Sequence, residues 1–136
     1  MVEDSPSMAE MYKEYLQGDS YDVELVSTGK EALEKLQQSL PAAIVLDVNL
    51  PDMSGMEILK TIHDQQLPIV SLVITGHGSV DLAVESMNLG AYDFIEKPFS
   101  AKRLKLTLSN ALEHQQLSET LDTLKDEYGR NGFEDF

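Results

Sequence analysis

Cysteine is absent from this 136-residue chain, and basic residues are scarce. There are 10 lysines and arginines against 24 aspartates and glutamates, for a formal net charge of −14. Without cysteine there is no disulfide and no thiolate metal site, which fits a reducing compartment. Nucleic-acid binding rests on lysine and arginine neutralising phosphates, and the few present are scattered, so direct contact with nucleic acid is not expected. Apolar runs are far too short to span a bilayer, and no signal peptide is read at the start. A soluble cytoplasmic protein is the expectation. The length fits one domain with a core of its own, without staples.

Strand-like and helix-like segments alternate along the chain. Met1-Val2 reads as the stump of a first strand, ahead of Glu3-Asp4. Ser5-Pro6 supplies an N-cap followed by proline at the first helical position. Met8, Tyr12, Tyr15 and Leu16 follow at helical spacing. Tyr21 to Val26 reads as a second strand. Ser27 or Thr28 then caps a second helix with Ala32, Leu33 and Leu36 on its apolar face. Ala42 to Val48 is the third strand, and Met56 to Gln65 the third helix, with Ile58, Leu59 and Ile62 facing in. Ile69 to Thr75 is apolar enough for a strand buried on both faces. Ser79 caps a fourth helix with Val80, Ala83, Val84 and Met87 on one side and Gly90 as its stop. Asp93 to Glu96 is a short fifth strand, and a last helix starts near Ser100. His63 and His114 read as surface residues on helices.

Repeated strand–helix units imply an α/β fold: a five-stranded, doubly wound parallel sheet with helices on both faces. In such folds the site lies at the carboxyl ends of the strands. Those ends carry Glu3 and Asp4, Asp47, Thr75 and Lys97. Like charges about 4 Å apart cost roughly 4 kcal/mol at an effective dielectric near 20, so three converging carboxylates need protons or a cation. Mg²⁺, with few protein oxygens and several waters, suits that set, and phosphoryl oxygens are its common partner. Lys97 would add a second positive charge and Thr75 a hydrogen bond, while Gly76 leaves room for the group to enter. Asp47 would then be the nucleophile of a phosphoryl site, aimed by a rigid strand end. Taken singly, each residue has a plainer reading: a helix cap or solvated acid, a β-forming threonine, a turn lysine. Their presence at four strand ends of one fold favours the site.

At these residues the chain resembles the receiver domain of bacterial two-component response regulators. The matching pieces are Val2 to Asp4, Leu46 to Gly55 ("LDVNLPDMSG"), Val73 to Ser79 ("VITGHGS"), Gly90 to Phe94 ("GAYDF") and Lys97 to Phe99 ("KPF"), spread over Met1 to Leu112. The resemblance implies a flavodoxin-like sheet in the order 2-1-3-4-5 and a receiver domain over residues 1–114. It implies that Asp47 takes a phosphoryl group from a phosphohistidine on a histidine kinase or phosphotransfer protein. Glu3, Asp4, Asp47 and the Asn49 carbonyl would hold Mg²⁺, and Lys97 would pair with the phosphoryl oxygens. Thr75 would move toward them and Phe94 change rotamer behind it, reworking the face of the fourth helix, fifth strand and fifth helix. A cis Lys97-Pro98 bond is also implied.

"VNLPDMSGMEIL" and "TGHGSVDLAVESM" look most like receivers of sigma-54-dependent activators of the nitrogen-regulator class, quorum-sensing regulators among them. On that reading an ATPase domain and a DNA-binding domain would follow this chain. Leu117, Leu121, Leu124 and Tyr128 fall at 4-3-4 spacing. They would extend the fifth helix into a dimerising linker over residues 115–136, with Gly129 to Phe136 as linker or disordered. Asn49, Gly76 and His77 would flank the phosphoryl group, Asn49 and His77 helping to set its lifetime. One departure from the family is that only Met1 and Val2 precede the acidic pair. A truncated first strand should lower stability, and a longer one should melt higher.

Other classes fit less well. A haloacid-dehalogenase-type phosphatase places a second aspartate two residues after its nucleophile, where this chain has Asn49. A flavodoxin-like redox carrier needs a hydroxyl- and glycine-rich phosphate loop where Glu3-Asp4 stands. A pure interaction module would not need the acid, threonine and lysine together.

Overall fold

The structure is a computed structural model that describes residues 1–2, 6–17 and 24–130, with side chains for 1–2, 6–16 and 24–115. Among the described residues the elements are, in order, α1 (Pro6–Gln17), α2 (Gly29–Gln38), β1 (Ala43–Asp47), α3 (Gly55–Asp64), β2 (Val70–Thr75), α4 (Val80–Asn88), β3 (Asp93–Glu96) and α5 (Ala101–Arg130). The strands form a parallel sheet in the order β1-β2-β3. Asp47 stands opposite Ile74 and Thr75 opposite Glu96, so the carboxyl ends of the strands finish side by side.

The five-stranded sheet read from the sequence is therefore seen as three strands and a pair of bridges. Val2 bridges Val26 on one side and Leu46 on the other, both in parallel sense. The Val2 amide donates to the Val45 carbonyl at 2.8 Å, and the Asp47 amide to the Val2 carbonyl at 3.0 Å. Val2 thus stands between Val26 and β1, in the place read for the first strand. Half of the predicted second strand, residues 21–23, lies outside the described residues, with Glu3, Asp4 and the Ser5 cap.

Side chains alternate across the strands and feed two cores. Ile44, Leu46 and Val73 pack under α2, α3 and α4 with Ala32, Ile58, Leu59 and Ile62. Val45, Leu72, Ile74 and Ile95 pack under α1 and α5 with Tyr12, Leu16, Leu104 and Leu108. All six residues of β2 are buried, as expected for a strand with helices on both faces. Tyr12 also stacks on Phe99 at 4.9 Å, tying α1 to the turn after β3.

The helix ends follow the sequence signals. Thr28, Ser54, Ser79 and Ser100 each accept a backbone amide of the first turn. Gly90, at φ +88°, ends α4, with the Ala91 amide reaching back to the Ser86 carbonyl at 3.0 Å.

One apolar stripe turns the other way. Val80, Val84 and Met87, grouped with Ala83 as one apolar side of the fourth helix, are 79%, 53% and 50% exposed. The inward face is Leu82, Ser86 and Leu89, with the Ser86 hydroxyl satisfied by the Leu82 carbonyl at 2.8 Å. A helix apolar on two sides can bury only one against a single sheet.

Candidate functional site

Asp47 ends β1 with its side chain almost fully buried, at 3% exposure. Such a carboxylate needs partners for both oxygens. Its Oδ1 accepts the Asn49 amide at 2.9 Å, and its Oδ2 accepts the Lys97 ammonium at 2.7 Å. Lys97 comes from the turn after β3, is itself mostly buried, and precedes a cis peptide to Pro98. An opposite charge with hydrogen bonds on both oxygens is the condition under which a buried ion pair is tolerated.

Thr75 ends β2 and is fully buried. Its hydroxyl accepts the His77 amide at 3.2 Å, and its carbonyl accepts the Lys97 amide at 2.7 Å. The lysine whose ammonium holds Asp47 is thus fixed through its backbone to Thr75. Phe94 lies one strand over, opposite Val73, half-buried against the core under α2, α3 and α4. Gly76 and His77, just after Thr75, and Asn49, just after Asp47 and Val48, are exposed, and a β-carbon at Gly76 would meet open space. Asp47, Thr75, Lys97 and Asn49 are therefore brought together. Glu3 and Asp4 lie outside the described residues.

Some neighbours escape a linear reading. A β-carbon at Gly55 would collide with the Asp47 carbonyl, so the start of α3 presses against the strand end. The Glu96 carboxylate lies over Gly78, in space that any side chain there would need. Asp52 reaches the first turn of α2, where its Oδ1 and Oδ2 accept the Gly29 and Lys30 amides at 2.8 and 2.9 Å. Those amides hold its carboxyl below the ordinary carboxylate value of 3.8. A proline–aspartate turn was visible in sequence, but its partner helix was not.

This geometry can support transfer of an anionic group onto a carboxylate, with an ammonium and a hydroxyl beside it. The chain belongs to the response regulator receiver domain family, whose model matches residues 1–109. It is 42% identical over 112 residues to the luminescence regulatory protein LuxO of Vibrio campbellii, covering 82% of this chain and 25% of that protein. The signal receiver domain of a putative LuxO repressor protein from Vibrio parahaemolyticus superposes with a TM-score of 0.85 at 42% identity, over 88% of this chain and 92% of that one. The beryllofluoride-activated NtrC4 receiver domain dimer does so at 0.79 and 38% identity, over 84% and 94%. The chain spans about a quarter of the length of the LuxO relatives it matches.

Receiver domains of this family generally bind Mg²⁺. Among the described residues no three metal-ligating side chains gather. The candidate donors are oxygen throughout: the Asp47 carboxylate and Asn49 carbonyl, with Glu3 and Asp4. That donor chemistry fits the ion.

Proposed function

We propose that Asp47 is the phosphoacceptor of a phosphorelay and that its loading switches the α4–β3–α5 face. The observation that carries this is the buried Asp47–Lys97 pair at 2.7 Å with Thr75 at the next strand end. An Asp47 carboxylate oxygen attacks the phosphorus of a phosphohistidine on a histidine kinase or phosphotransfer protein. The P–N bond breaks, its electron pair stays on the imidazole nitrogen, which takes up a proton, and an acyl phosphate forms. Such transfer is mostly positioning and charge stabilisation. Lys97 already stands beside the acceptor and pairs with the incoming oxygens. Thr75 turns from the His77 amide toward them, and Phe94 moves into the space behind. Glu3, Asp4, Asp47 and the Asn49 carbonyl would hold Mg²⁺, which would offset the charge shared by carboxylate and phosphoryl oxygens. The exposed side chains of Asn49 and His77, beside Gly76, set how long the acyl phosphate survives water.

The apolar stripe of Val80, Val84 and Met87 supports α4 as the output face, since such a surface gains by being covered. The likeness to LuxO and NtrC4 receivers supports a sigma-54-dependent activator as the whole protein, with an ATPase and a DNA-binding domain beyond this chain. The continuous α5, running to Arg130, supports a homodimer formed through that helix, with residues 115–136 as linker.

Beryllofluoride with Mg²⁺ tests the reading, by amide NMR on wild type and Asp47→Ala. Shifts at Thr75, Phe94 and Lys97 in wild type alone are expected. No response in wild type, or the same response in the variant, would refute the assignment.

A further inference from the structure

Asp52 joins two connections that are far apart in sequence. The segment Val48 to Ser54 leaves the phosphoacceptor strand and doubles back on itself. Its base is closed by the Gly55 amide on the Val48 carbonyl at 2.8 Å and by an antiparallel bridge between Asn49 and Ser54. Its tip is held against α2. Leu50 and Met53 pack on the core beneath, and Met53 occupies the space where Gly29 lacks a side chain. The Asp52 carboxylate takes the first two amides of α2.

A helix leaves its first amides without intrahelical partners. In α2 the Thr28 hydroxyl serves the Glu31 amide, and the Thr28 carbonyl serves Ala32. The two remaining amides are those given to Asp52, so α2 and the site loop share one cap. Asn49, three residues before Asp52, donates its amide to the reacting carboxylate. With the base of the turn closed, movement at the tip is passed to Asn49.

We infer that Asp52 is a positioning residue: by pinning the loop tip to α2 it holds the Asn49 amide on Asp47 and so keeps the phosphoacceptor aimed. This role rests on the phosphoacceptor reading above. Phosphoryl transfer is sensitive to such aiming, because small misplacements of reacting groups are costly in rate.

Asp52→Ala, Asp52→Asn and Thr28→Ala are compared with wild type. Thr28→Ala removes a cap from the same helix without touching the loop. Hydrogen exchange of the Asn49 amide reads the aim directly, and labelling by acetyl phosphate with Mg²⁺ reads the reaction. In Asp52→Ala the Asn49 amide should exchange about tenfold faster, and labelling should slow by about the same factor. Asp52→Asn, which keeps one acceptor, should fall between. Thr28→Ala should melt lower yet match wild type in both readouts.

Unchanged Asn49 exchange in Asp52→Ala would overturn the clamp, as would faster exchange with undiminished labelling. Equal losses in Thr28→Ala would reduce Asp52 to a helix cap and overturn the role as well. A wild type that acetyl phosphate does not label would overturn the phosphoacceptor reading and this role with it. Asn49 exchange would then still decide whether the loop is pinned.

Discussion

Gly55 has no side chain, and the strand end depends on that. Its position against the Asp47 carbonyl leaves no room for a β-carbon, and its amide is spent on Val48. Gly55→Ala should therefore act as overpacking against rigid backbone and cost about 1–3 kcal/mol, read as a lower urea midpoint. A variant as stable as wild type would mean that α3 can slide away from β1 freely. The strand-end cluster was easier to read from sequence than the contacts that support it. Asp47, Thr75 and Lys97 were legible because each follows an apolar strand, so periodicity placed them at one edge. Asp52 was not, because its partners, Gly29 and Lys30, stand 23 and 22 residues away on another element. Glu96 over Gly78 escaped for the same reason: the end of β3 meets the loop after β2 there.

Among the elements, α4 departs most from its sequence pattern. Four apolar residues were read on one side, yet the side that packs on the core is Leu82, Ser86 and Leu89. Serine hid that face, because a hydroxyl bonded to the preceding turn can be buried without an apolar signal. Replacing Val80, Val84 and Met87 with serine, serine and glutamine should change stability by no more than about 0.5 kcal/mol apiece, as for other surface sites. Ile62→Ala in α3, which empties buried space, should cost about 2–5 kcal/mol. Urea melts compare the two, and similar losses would return the α4 stripe to the core. The β1, β2 and β3 segments were read to within a residue or so. Val2 bridges Val26 and Leu46 where the first two strands were expected, and residues 3–5 and 21–23 lie outside the described residues.

At the scale of the whole molecule, the sheet is enclosed by packed side chains on both of its faces. The burial of β2 on both faces has a consequence for inheritance. Every position from Val70 to Thr75 answers to one core or the other, so random substitution has no neutral side to land on. A mutational scan read by stability should show an unbroken band of intolerance there and tolerance on the exposed face of α4.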